Sequence, residues 1–208
     1  MACQQTPARF MSTCMLVFLA CIPVARAQLY AREAPPGSAF IHVFNATSGT
    51  GVPVQIADRV QPPLPPYTAS AYIFVPPGEY VVRAGAHAQP FKLEGNHYYT
   101  VAANATGLRL FDFSEPLTKL KATIALFNLT PDLTLTLKTV EGGTTVFDAI
   151  APDTSTQRAI NPLQLDLALF SGERKIANVP TVALQRGQSF SLFVSGSKAA
   201  PVLVWNKD

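Results

Sequence analysis

Ala39-Phe40-Ile41-His42-Val43-Phe44-Asn45-Ala46-Thr47 returns 83 positions later as Ala122-Thr123-Ile124-Ala125-Leu126-Phe127-Asn128-Leu129-Thr130, with five of nine residues identical. A repeat at a fixed offset marks a duplicated structural unit. Each copy reads as a strand ending in Phe-Asn, then a turn that asparagine can cap with its own side chain. A second pair follows. Leu93-Glu94-Gly95-Asn96-His97-Tyr98-Tyr99-Thr100-Val101 parallels Leu184-Gln185-Arg186-Gly187-Gln188-Ser189-Phe190-Ser191-Leu192, each a turn followed by an aromatic-rich strand. Two tandem domains are expected, 28–117 and 118–208, both within ordinary domain size. The join is placed near Phe113-Ser114-Glu115-Pro116-Leu117-Thr118-Lys119, where polar residues and a proline interrupt the pattern.

Working outward, the chain reads as β throughout. Its 18 prolines and 12 glycines punctuate short runs, and no long 3.6-period apolar stripe follows the first 27 residues. Leu133-Thr134-Leu135-Thr136-Leu137-Lys138-Thr139 and Leu163-Gln164-Leu165-Asp166-Leu167-Ala168-Leu169 alternate with period two, as strands with one buried face do. Glu141-Gly142-Gly143-Thr144 and Ser171-Gly172-Glu173 are expected reversals, and Pro76-Pro77-Gly78 suits a type II turn. Pro62-Pro63-Leu64-Pro65-Pro66 is expected to stiffen a loop or sheet edge. Without intervening helices a parallel sheet is disfavoured, so the fold expected is two tandem antiparallel β-sandwiches.

Residues 1–27 carry Arg9, an apolar run from Met11 to Ile22, and Ala25-Arg26-Ala27, the layout of a cleaved export signal. All three cysteines lie inside it, at 3, 14 and 21. Residues 28–208 therefore hold no disulfide and no thiolate metal site, which fits a bacterial periplasm. Lipidation at Cys21 is the lesser alternative. The exported part carries 14 Lys and Arg against 13 Asp and Glu, without a basic run, so nucleic-acid binding is excluded. Residues 28–117 are net −1 and residues 118–208 net +2, so if either half meets an anionic partner, it is the second.

The residues show no catalytic constellation. His42, His87 and His97 have no metal-pair spacing. His42 faces away from Ile41 and Val43 and matches Ala125 in the repeat, so it reads as a packed or surface histidine. His97 reads as a polar turn-edge residue, and His87 as a loop residue. No Gly-x-Ser-x-Gly elbow and no Gly-Asp-Ser block occurs, and Ser195 reads as part of a loop after a strand. The acids at Pro131-Asp132 and Pro152-Asp153 read as turn residues. Three Asn-x-Thr triplets, at 45, 104 and 128, match the glycosylation pattern by chance in a bacterium. Trp205 is placed in the last strand as a packing residue. No metal and no cofactor is expected.

Several stretches carry a family resemblance. They are Leu29-Tyr30, Ala34-Pro35-Pro36-Gly37-Ser38-Ala39-Phe40, Phe74-Val75-Pro76-Pro77-Gly78-Glu79-Tyr80 and Tyr98-Tyr99-Thr100. Leu126-Phe127-Asn128-Leu129-Thr130, Leu135-Thr136-Leu137-Lys138-Thr139, Ala159-Ile160-Asn161-Pro162 and Leu167-Ala168-Leu169-Phe170 continue it in order. Together they resemble the AlgF family of periplasmic alginate O-acetylation proteins. The resemblance implies an accessory or acetyl-relay role beside a membrane-bound O-acyltransferase and periplasmic acetyl-handling proteins, with the polysaccharide itself as a further partner. Cellulose acetylation, direct O-acetyl transfer and a structural or adhesive role are the alternatives. For a partner-binding face, exposed aromatics and arginine are the residue types to seek. Tyr30, Tyr67, Tyr72 and Arg186 are candidates, joined by Asn161 of the family-like Ile160-Asn161-Pro162.

Overall fold

The computed structural model describes residues 34–113 and 119–207. The expected export signal, Cys21, Tyr30 and residues 114–118 of the expected join lie outside them. The described residues form strands and turns, with two sandwiches in succession.

The first contains β1 (Ala39–Asn45), β2 (Val52–Ile56), β3 (Arg59–Leu64), β4 (Ile73–Val75), β5 (Gly78–Ala84), β6 (His87–Leu93), β7 (Tyr98–Asn104) and β8 (Gly107–Phe113). They form two four-stranded sheets, ordered β4-β1-β7-β8 and β3-β2-β5-β6. The second contains β9 (Ala122–Asn128), β10 (Leu135–Thr139), β11 (Thr145–Ile150), β12 (Thr154–Ile160), β13 (Gln164–Leu165), β14 (Leu167–Ser171), β15 (Arg174–Asn178), β16 (Val182–Ala183), β17 (Ser189–Gly196) and β18 (Pro201–Lys207). Its sheets run β12-β9-β17-β18 and β11-β10-β14-β15, with β13-β16 as a small pair.

The sequence repeat is a repeat of register. β1 runs parallel to β7 with His42 opposite Thr100, and β9 runs parallel to β17 with Ala125 opposite Ser191. The other ladders are antiparallel, as expected. A parallel pair needs a long crossover. Here the other sheet of each sandwich provides it, so no helix is required. Inward-facing Ile41, Val43, Ile56, Val82 and Val101 fill the first core, and Ile124, Leu126, Leu135, Leu169 and Leu192 fill the second.

Each repeat is locked by its asparagine. Asn45 Nδ2 donates to the Leu64 and Pro65 carbonyls at 3.0 and 3.1 Å, and its Oδ1 accepts from the Thr47 N–H and hydroxyl at 3.0 and 2.7 Å. Asn128 does the same with the Leu133 and Ile150 carbonyls at 2.7 and 3.0 Å and with Thr130 at 3.1 and 2.6 Å. Both asparagines are fully buried, so every polar atom needs such a partner. Asn104 likewise accepts from Thr106 and Gly107 in the β7–β8 turn. The three Asn-x-Thr triplets are thus turn locks, which gives them a structural reason.

A third core lies between the sandwiches. The faces of β1, β7, β8, β9 and β17 that turn away from their own cores meet through Phe44, Ala102, Phe111, Ala125, Phe127 and Phe193, joined by Leu129 just after β9. Phe193 stacks on Phe44 at 3.8 Å and on Phe127 at 4.6 Å, while Phe111 and Phe113 meet Phe127 edge-on. Both faces of β9 are therefore buried along its whole length.

Four local expectations need correction. The run 163–169 is not one strand. It breaks at Asp166, whose carbonyl takes the Val140 N–H and whose carboxylate takes the Thr181 hydroxyl, so Leu163 stays exposed while Leu167 and Leu169 are buried. Gly78 does not sit in a type II turn, because it already pairs with Leu93 in the β5–β6 ladder and has no positive φ. Ser195 lies inside β17, buried, rather than in a loop. His87 opens β6, paired with Ala84, rather than occupying a loop. Gly142 and Gly172 do turn their hairpins at positive φ, and the proline run does begin in an edge strand, β3, and leaves it after Leu64.

Candidate functional site

The titratable side chains divide into a sealed set and an open set. His42 projects from β1 into the layer between the sandwiches and is fully buried. Its Nε2 meets the Thr100 hydroxyl at 2.8 Å, and its ring stacks on Tyr72 at 3.9 Å. Nδ1 has no hydrogen-bond partner. Burial pushes the imidazole down to about 3, against a weak opposing effect of the Ser70 backbone. It is neutral and shielded from any substrate. In the second repeat Ala125 and Ser191 occupy this register, so the fold itself does not demand the pair.

His97, just before β7, is half-buried and bonds through Nδ1 to both carboxylate oxygens of Asp112 at 2.8 and 3.0 Å. Its ring lies 5.8 Å from that of Tyr99, whose hydroxyl accepts the Glu94 N–H at 2.8 Å. Burial, then the neighbouring carboxylates, push the Tyr99 hydroxyl up. The turn ahead is tight: at Gly95 a Cβ would run into the Gly37 carbonyl oxygen. These contacts close one end of the first sandwich. Among the described residues, no group of three or more His, Cys, Asp or Glu is arranged to hold a metal.

The open set lines a groove of about 330 Å³ on the second sandwich. It runs where β11 and β12, outer strands of opposite sheets, come alongside each other. Its floor is apolar, from Val146, Ile160, Leu163 and Leu165, and its rim is polar, from Thr139, Thr144, Thr145 and Asn161. Lys121 and Arg158 add two cations, and none of the described lining residues is acidic. Arg158 is held in place by donating from Nη1 to the Val146 carbonyl at 3.3 Å. Leu163 is 45% exposed, and Leu120 and Val140, neighbours in sequence of lining residues, are 73% and 39% exposed. The first sandwich has a smaller depression, about 200 Å³, walled mainly by Pro35, Pro36, Pro76 and Pro77. There Arg59 lies 5.6 Å from the centre of the Phe74 ring.

The candidates named from sequence do not converge. Tyr67, at φ 54°, packs on the third core and donates its N–H to the Asn45 carbonyl. Tyr72 stacks on His42 and meets Tyr98 edge-on at 5.8 Å. Both serve the layer between the sandwiches. Arg186 is exposed in the turn between β16 and β17; it does not itself line the groove, though the next residue, Gly187, donates its N–H to the carbonyl of the lining residue Lys121 at 2.9 Å. Asn161 alone lines the groove. Lys121, Arg158 and Leu163 were missed. The available clue was the positive balance of the second half.

Comparison with known proteins adds the lineage. A family model described as "Alginate O-acetyl transferase AlgF" matches residues 15–191. The alginate biosynthesis protein AlgF of Pseudomonas syringae pv. tomato is 36% identical over 180 residues, covering 86% of this chain and 80% of that protein. The protein of the same name from Pseudomonas fluorescens is 36% identical over 182 residues, covering 87% and 83%. Among solved structures, the C-terminal domain of AlgF from P. aeruginosa matches with 39% identity and a TM-score of 0.40, over 43% of this chain and all of that one. On the extent of these sequence matches, the chain belongs to the AlgF family.

Proposed function

We propose that this chain is an accessory of alginate O-acetylation, exported to the periplasm, that holds acetyl-transferring proteins in place and does not itself transfer the acetyl group. The names of the family and of its relatives support the pathway. The observation that carries the accessory role is the groove between β11 and β12, which offers apolar floor, threonine rim and two cations on a block stiffened by apolar cores. Such a surface suits binding. The sealed His42 supports the same reading, while His97, held through Nδ1 by Asp112, is the imidazole that the test below probes. General acid–base catalysis needs a side chain within reach of substrate at a useful pKa.

The test has two arms. A producing strain without the chain should make polymer whose acetyl esters are largely lost. The purified chain, given an acetyl donor and an oligomannuronate, should transfer nothing. Transfer that disappears on His97→Gln would make the chain an enzyme. A deletion strain with full acetylation would remove it from the process.

A further inference from the structure

We infer that the groove between β11 and β12 docks an extended segment of a partner protein that carries carboxylates alternating with apolar side chains. This rests on the accessory role proposed above and names the chemistry of what is held. Three properties select that occupant. The first is shape: the groove follows two outer strands, each paired on one side only, so an extended chain can lie along it. The second is charge. Lys121 and Arg158 are both exposed, and the described lining offers them no carboxylate, so an acidic partner supplies the missing counter-charge.

The third is the floor. Val146, Ile160, Leu163 and Leu165 present apolar surface, and Leu163 is open to solvent. A polyuronate would meet the cations but cover that floor with hydroxyl-rich rings. A segment alternating Asp or Glu with Val or Leu satisfies both, since successive side chains of an extended chain point to opposite sides. The first-sandwich depression lacks this combination, with one arginine already placed over Phe74.

The experiment uses the full chain, immobilised, and the O-acetylation proteins of an alginate-producing strain, each tagged so that it is identified when retained. Wild type should retain at least one of them. Lys121→Glu with Arg158→Glu should lower retention at least tenfold with an unchanged thermal midpoint, because both side chains are exposed. Arg83→Glu with Lys92→Glu, on the first sandwich, should retain as wild type does. A synthetic ten-residue peptide alternating Asp and Val should displace the retained protein, and its Asn-for-Asp counterpart should not. No retention by wild type defeats the accessory role itself. Retention unaffected by the groove double variant overturns the groove alone. Displacement by an oligomannuronate, with none by the Asp/Val peptide, makes it a glycan site and equally overturns the inference.

Discussion

The two sandwiches share one frame and differ in what they do with their outward faces. In both, a parallel pair sits at the centre, and a buried asparagine fastens the turn that follows the first strand. The first sandwich sets His42 and Thr100 where the second has Ala125 and Ser191. It sets Ala102 where the second has Phe193, in line with Phe44 and Phe127. So the second supplies the larger ring to the layer between them, and the first supplies the polar pair. Among the described residues, the groove lined by Lys121 and Arg158 lies on the second. Duplication thus preserved the turn locks, the inward Ile41/Ile124 and the outward Phe44/Phe127, while the outward positions opposite and beside them diverged.

The sharpest way to break this comparison is at the joint. Phe193 stacks on a ring from each half, and its removal leaves a cavity between layers that are held by their own sheets and close incompletely. Phe193→Ala should cost about 4 kcal/mol, read by urea unfolding. It should also separate the melting of the two halves. A loss below about 1 kcal/mol would mean that the layer is not a core.

Next come the turn locks. Asn128→Ala removes the amide donor to two buried carbonyls and should cost about 3 kcal/mol; Asn45→Ala removes it from the buried Leu64 carbonyl, while that of Pro65 keeps the Thr68 hydroxyl at 2.7 Å, and should cost about 2 kcal/mol. Similar losses by thermal melting sharpen the claim that the halves are one design. A loss confined to one of them breaks it.

His42 gives a smaller effect with a definite sign. Its folded pKa of about 3 lies below the unfolded value of 6.5. Below pH 6.5 the unfolded chain takes up a proton that the folded chain refuses, so stability falls with pH down to about 3. Near one proton, the slope is about 1.4 kcal/mol per pH unit, or about 2 kcal/mol between neutrality and pH 5. His42→Ala, which copies the second half into the first, should abolish that part of the loss in urea titrations at the two pH values. An unchanged loss would place the proton uptake elsewhere.

Smallest is the hairpin at Gly142, whose φ is 75°. Gly142→Ala should cost about 1 kcal/mol, and Gly172→Ala, at φ 58°, about the same. Differential scanning calorimetry resolves both.

Much of the frame was legible in the sequence because it is local or repeated. The Phe-Asn ends of the repeat predict strand, then turn, and the buried asparagine bonds follow from that chemistry. The layer between the sandwiches was not legible, because alternation assigns Phe44, Phe127 and Phe193 to a face without saying whether water or another sheet covers it. Apolar residues on both faces of 122–129 were the hint. Tyr67 and Tyr72, named among the partner-binding candidates, sit by this layer, which a single strand pattern does not show. The groove was hidden differently. Lys121, Arg158 and Leu163 come together through strand order, and no spacing in the chain encodes that.

The measurement that bears most directly on the account is the acetyl-ester content of alginate from a deletion strain complemented with three versions of the chain. Wild type should restore acetylation, His97→Gln should restore it equally, and Lys121→Glu with Arg158→Glu should leave it near the deletion level. Full acetylation with the groove double variant, together with loss in His97→Gln, would contradict the account and assign chemistry, not docking, to this protein.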